Sequence, residues 1–176
     1  AQHFKHTDID DRRDFVLKLS EARKDDHDYW HALNQEIEQG GVEAMVHDLL
    51  AMDLSGFNVR EKPQTVALLE QKLLSLDHIP HWWHDCLQRG EVIDGNGWPK
   101  FISTNTAIEA IKDMAGRQLY KPPTGRQVNE AFRKFCPSAR QDQQQTDFGR
   151  HRGLALPDLE TARAEFEEYI GGPVPW

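Results

Sequence analysis

Lys121-Pro122-Pro123-Thr124-Gly125-Arg126-Gln127-Val128-Asn129-Glu130-Ala131-Phe132-Arg133-Lys134-Phe135 is the stretch on which the reading of this chain turns. Neither proline can continue a helix, so whatever precedes them stops there. Thr124 is a natural N-cap for a new helix over 125–135. Val128, Phe132 and Phe135 fall on one inward stripe, and Arg126, Gln127, Asn129, Glu130, Arg133 and Lys134 are left to solvent. Upstream, Phe101-Ile102 reads as a strand stub. Ser103, Thr104 or Asn105 then caps a helix with Ile108, Ile111, Met114, Ala115 and Leu119 inward. Downstream, residues 140–152 are polar and glutamine-rich, and Gly153-Leu154-Ala155-Leu156 reads as a returning strand. Pro157-Asp158 opens a last helix that runs through Tyr169 and is closed by Gly171-Gly172.

Helix, tight turn, helix and polar hairpin is the order of a winged helix-turn-helix, and the charge distribution gives that order a direction. From Pro99 to Leu156 the chain carries ten Lys/Arg and five Asp/Glu, a net of +5. The first 98 residues carry ten basic and nineteen acidic side chains, net −9, and the last twenty sum to −4. A positive island inside a chain of net −8 is what a polyanion meets within a Debye length. Arginine can pair with guanine, Asn or Gln with adenine, and Lys or Arg with phosphates. Lys121, Arg126, Gln127, Asn129, Arg133 and Lys134 around the second helix supply that mixture. Arg140, Arg150, His151 and Arg152 on the hairpin suit phosphate or minor-groove contact. These ten residues are the expected DNA-binding set. Charged residues also coat many short helices, and wing-like hairpins also mediate protein contacts.

The rest of the chain reads as mainly helical. Phe15-Val16-Leu17-Lys18-Leu19 is expected to form one strand. Asp25 or Asp26 caps a helix with Tyr29, Trp30, Leu33 and Ile37 at helical spacing. Gly40-Gly41 ends it, and Val42, Met45, Val46, Leu49 and Leu50 mark a second. Pro63 opens a helix carrying Val66, Leu69, Leu73 and Leu76, and Ile79-Pro80 is expected to break it. Trp82, Trp83, Cys86 and Leu87 follow on a short helix ended by Gly90, and a glycine-rich loop leads to Pro99. The fold expected is a helical bundle followed by a winged helix-turn-helix with a small β-hairpin. Its divisions fall at 1–24, 25–97 and 98–176.

Composition narrows the function classes. At 38% hydrophobic and 28% charged residues the chain is ordinary for a globular protein, and no apolar run approaches the length of a membrane span. The start at Ala1-Gln2-His3, without an initiator Met, reads as a cut from a longer chain. Cys86 and Cys136 make neither a disulfide framework nor a paired-thiol metal motif, so buried thiols in a reducing cytoplasm are expected. His78, His81 and His84 stand near Asp85 and Cys86. Because Pro80 is expected to interrupt their helix, no metal site is assigned there; His27 and His31 match no zinc signature either. Gly40-Gly41, Gly95-Asn96-Gly97 and Gly171-Gly172 lack the Lys-Ser/Thr ending of a phosphate loop, and no serine nucleophile elbow is present. The chain is therefore expected to be non-catalytic by itself and to hold no cofactor.

Three stretches together carry a family resemblance. They are residues 10–17 (Asp10-Asp11-Arg12-Arg13-Asp14-Phe15-Val16-Leu17), residues 53–60 through 71–77 (Asp53-Leu54-Ser55-Gly56-Phe57 onward), and residues 149–157 (Gly149-Arg150-His151-Arg152-Gly153 onward). The chain resembles the C-terminal part of phage- and prophage-encoded primase-helicases, whose motor is a superfamily three AAA+ helicase. The resemblance covers nearly the whole chain and is most specific in the middle block. It implies an upstream region with the nucleotide-binding motifs, which would hold ATP and Mg, and a primase-polymerase module. It implies that residues 1–24 end a truncated AAA+ core in which Arg12 or Arg13 serves as an arginine finger toward a neighbouring subunit's γ-phosphate; surface ion pairing with Asp10, Asp11 and Asp14 is the alternative. It further implies that 25–97 is a lid or linker, and that 98–176 is a winged helix working on DNA beside the motor in a bacterial host cell. Partners would then be DNA and, through the parent motor, further copies of the chain, with no membrane. A protein-interaction module docking a replication partner is the second reading, suggested by the acidic first half and Trp82-Trp83.

Overall fold

The computed structural model describes residues 8, 9, 14–58, 60, 61, 63–93, 95–116, 121–146 and 149–176. Arg12 and Arg13, the expected finger pair, lie outside the described residues, as does Leu119. The described chain is mainly α with one small three-stranded antiparallel sheet. It divides into two units, one of residues 15–67 and one of 68–176 together with Asp14.

In the first unit, α1 (His27–Glu36) and α2 (Val42–Ala51) are joined by a wide turn at Ile37–Gly41. Asp26 caps α1 by accepting from the Tyr29 N–H at 3.0 Å. Gly40 supplies the break, with φ at 101°, a conformation that costs glycine little. The strand expected at 15–19 does not form. Those five residues are unpaired apart from the Val16 carbonyl, which accepts from Thr65 Oγ1 at 2.6 Å. A β-prone run becomes a strand only when another strand supplies its backbone partners and cross-strand contacts, and none of the sheet's three strands lies in this unit. No described residue between 15 and 67 is buried.

The second unit gathers the core. α3 (Val66–Leu74) leads into it and α4 (His78–Arg89) follows. Ile79-Pro80 does not break a helix there. Pro80 sits in the first turn of α4, where a helix has no use for its missing N–H. Then come β1 (Phe101–Ser103), α5 (Thr104–Ala115), α6 (Gly125–Phe135), β2 (Arg140–Thr146), β3 (Gly149–Ala155) and α7 (Leu159–Ile170). Ser103, Thr124 and Asp158 cap α5, α6 and α7. Trp82 and Trp83 of α4, Ile111 of α5, Phe132 and Phe135 of α6, and Phe166 of α7 meet in one cluster. The Trp83 ring centroid lies 4.7 Å from that of Phe132 and 5.4 Å from that of Trp98. The division expected between 97 and 98 therefore falls inside a unit, because the apolar face of α4 has α6 and α7 as its cover.

Strand order is β1-β3-β2, both pairs antiparallel. Gly153, opposite Ser103 on one side and Asp142 on the other, lets the strands close up. A Cβ at this position would lie 2.0 Å from the Ile102 carbonyl oxygen and 2.6 Å from the Phe101 ring.

Helix ends are tied across the core. Lys72 is buried and donates to the Ile170 carbonyl at 3.0 Å, a cation at the negative end of α7. Arg163 donates twice to the Leu87 carbonyl near the end of α4, at 2.7 and 3.1 Å. Cys86 and Cys136 are both buried thiols. Burial, followed by a hydrogen bond to Glu165, pushes the Cys136 thiol up to about 12.

Candidate nucleic-acid interface

The geometry of α6 is set by local chemistry. Thr124 Oγ1 accepts from the Gln127 N–H while Gln127 Oε1 accepts from the Thr124 N–H at 2.8 Å, a reciprocal capping box. Gln127 Oε1 also accepts from Thr124 Oγ1 at 2.9 Å. Gln127, expected to face DNA, thus commits its carbonyl oxygen to starting the helix.

Helical spacing then gives α6 two solvent faces. Arg126, Asn129, Glu130 and Arg133 follow one another at i, i+3, i+4 and i+7, and with Gln141 of β2 they line a hollow of about 460 Å³. Arg126 Nε donates to Glu130 Oε1 at 2.7 Å. That bond holds the Glu130 carboxyl below its usual range and Arg126 above its own, so both stay ionised. Gln127, Ala131 and Lys134 occupy the adjoining face and look into a different groove.

β2 and β3 form the facing wall. Leu154 is buried, and two-residue alternation puts Arg152 and Arg150 on its side of the sheet, with their cross-strand partners Gln141, Gln143 and Gln145. Between this hairpin, the start of α5 and the start of α6 lies a polar groove of about 760 Å³. Asn129, Gln141, Gln143, Arg150, His151 and Arg152 contribute to it, and Asp142 is the one acid among its described lining residues. Asn129 lines both hollows, and its Oδ1 is buried without a hydrogen-bond partner. A buried acceptor left in that state costs about 1–3 kcal/mol, which a ligand donor offsets once the amide turns toward it.

The expected DNA-binding set therefore separates. Arg126, Asn129, Arg133, Arg150, His151 and Arg152 converge on these two hollows. Lys121, Gln127 and Lys134 line the other groove, beside α4, which Arg133 borders as well. Arg140 pairs with Ala155, and alternation turns it to the face opposite Arg150 and Arg152. Gln141, Gln143 and Ser103-Thr104-Asn105 join the polar groove without having been expected there. The signal for the glutamines was their register opposite Leu154 and Arg152, which needs the hairpin turn to be placed first.

Among the described residues no three His, Cys, Asp or Glu side chains converge on a metal position. His78, His81 and His84 all ride on an uninterrupted α4. His84 is stacked on Phe166, 5.7 Å between centroids, and lies 5.9 Å from the Trp176 ring. Burial, followed by the nearby His81, lowers its pKa below the usual histidine value. Among the described residues no helix is long and apolar enough to cross a membrane. No protein-family model matches the chain, and neither a curated protein nor a solved structure does.

Proposed function

We propose that residues 78–176 form a winged helix-turn-helix that binds DNA. The observation that carries the reading is the convergence of Arg126, Asn129 and Arg133 on α6 with Arg150 and Arg152 on the β2–β3 hairpin around one polar hollow surface. The element order α4-β1-α5-α6-β2-β3, with strand order β1-β3-β2, supports it. In this reading α6 enters the major groove and the hairpin is the wing. The Arg side chains follow phosphates, and Asn129 is the side chain suited to a base edge. Together with the resemblance to phage-type primase-helicases, this makes the chain an accessory, non-catalytic module of a replicative helicase in a bacterial cytoplasm. ATP and Mg would belong to the parent motor, and Arg12 or Arg13 would complete a neighbouring nucleotide site.

Titration of a fluorescent duplex with the chain tests it. Binding is expected at low salt, with log K falling against log salt at a slope of about −3 to −4 if four arginines meet phosphates. Arg126→Ala, Arg133→Ala or Arg150→Ala each weakens binding and reduces that slope by about 1. Absence of binding at tens of micromolar protein in low salt refutes the DNA role of this chain.

A further inference from the structure

The helix pair of the first unit is unusual in what it lacks. Between Asp25 and Val59 the sequence has eight Asp/Glu, three His and no Lys or Arg. The same segment exposes an apolar stripe on each helix. On α2, Val42, Met45, Val46 and Leu49 recur at i, i+3, i+4 and i+7, and Met45 and Leu49 are 54% and 53% exposed. On α1 Trp30 is 45% exposed, and Ile37 directly after it is 47% exposed. Such stripes are built to be covered, and apart from Arg23, which pairs with Asp26 and lies over the Tyr29 ring, the charges around these are acidic.

The second unit has a surface of the opposite kind. A groove of about 950 Å³ runs between the first turn of α4, residues 121–124 and the outer face of α6. Ile79, Pro80, Pro122, Pro123 and Tyr169 give it an apolar lining. Lys121, Arg133 and Lys134 stand around it, and no ion pair engages any of the three among the described residues. Of the two acids among its described lining residues, Glu130 is already held by Arg126, which leaves Asp77.

We infer that the acidic helix pair of one copy docks into the basic-rimmed groove of a second copy, so that the chain associates head to tail. A face-to-face dimer of two helix pairs is disfavoured, because of the eight carboxylates on each copy only Asp26 has a Lys or Arg partner among the described residues, Arg23 at 2.6 Å. The groove supplies both missing elements, apolar cover and positive charge, and it is carried by the same chain. Because the two surfaces differ, the contact is heterologous, and copies add until the last groove takes the first helix pair. The groove shares Arg133 with the DNA reading, whereas Lys121 and Lys134 lie off the α6 face that meets the hairpin and separate the two.

Sedimentation velocity on the whole chain tests it, from roughly 1 to 200 μM, the range in which modest interfaces dissociate. Wild type is expected to associate as concentration rises and to dissociate as salt is raised. Met45→Glu with Leu49→Glu spoils the helix face, and Lys121→Glu with Lys134→Glu spoils the groove. Each double variant alone is expected to associate at least about tenfold more weakly than wild type. Mixed, they retain one good face each and are expected to stop at a one-to-one heterodimer, which also shows that both are folded. A wild type that stays monomeric throughout overturns the inference, including the case in which an unrelated protein covers the stripe. So does a mixture that forms no heterodimer, the result expected of a symmetric contact.

Discussion

Residues 68–176 and residues 15–67 are both helical, yet only the first group has an interior. In the second unit α4, α5, α6 and α7 each turn an apolar stripe toward the others, and Trp83, Phe132, Phe135 and Phe166 are almost wholly out of solvent. In the first unit α1 and α2 carry stripes of the same period, yet Trp30, Met45 and Leu49 remain about half exposed. The difference lies in cover. Periodicity states which face of a helix is apolar, and only a neighbouring element converts that face into stability. Perturbing the two units should therefore give opposite results.

The largest effect is expected at Trp83. Trp83→Ala removes a ring that lies against Phe132, Phe135 and Trp98 and should destabilise the second unit by about 3–5 kcal/mol, read by urea unfolding. Gly153→Ala comes next, at about 2–4 kcal/mol, because its methyl would collide with backbone rather than with a movable side chain. Circular dichroism melts should show the sheet-bearing unit lost at a lower temperature than in wild type.

A smaller effect is expected from pH. Burial lowers the folded-state pKa of His84 below its unfolded value of about 6.5. Its contribution is fully present above that value and is lost as pH falls through the lower folded value, since the unfolded state binds the proton more readily. Urea unfolding at pH values from about 7.5 down to 5 should show wild type losing stability faster than His84→Phe, which keeps a ring against Phe166 and Trp176. Equal slopes would refute the assignment. Smallest of all should be Leu49→Gln in dilute, monomeric protein, where the unfolding free energy moves by less than about 0.5 kcal/mol. A large loss there would mean that α2 is already covered within the monomer and would erase the contrast between the units.

Local signals in the sequence mark the helix starts. Thr124 after two prolines, Asp158 after Pro157 and Ser103 before a periodic run each mark a helix start through a side chain a few atoms from the N–H that it accepts. The stripe Val128, Phe132 and Phe135 likewise names the inner face of α6. What failed depended on partners distant in sequence. Phe15-Val16-Leu17 has the residues of a strand but no strand beside it. The glycines near residue 95 look like a boundary because nothing local says that Trp83 will meet Phe132. Pro80 looks like a stop because the start of α4 is not marked by a side-chain cap bond. The candidate interface was legible as a list and not as a surface. Which arginines share a hollow depends on strand register and on the angular position of each residue around α6, and these turn Arg140 and Lys134 away from the arginines near them in sequence.

The two thiols give the second unit a chemical clock. Cys86 and Cys136 come from different helix ends, are fully shielded, and in Cys136 the proton is held far more tightly than in a free cysteine. An alkylating reagent reacts with thiolate it can reach, so neither sulfur is modified while the unit is closed. The mass added over time then counts openings of the core directly, one molecule at a time, without a dye or a denaturant.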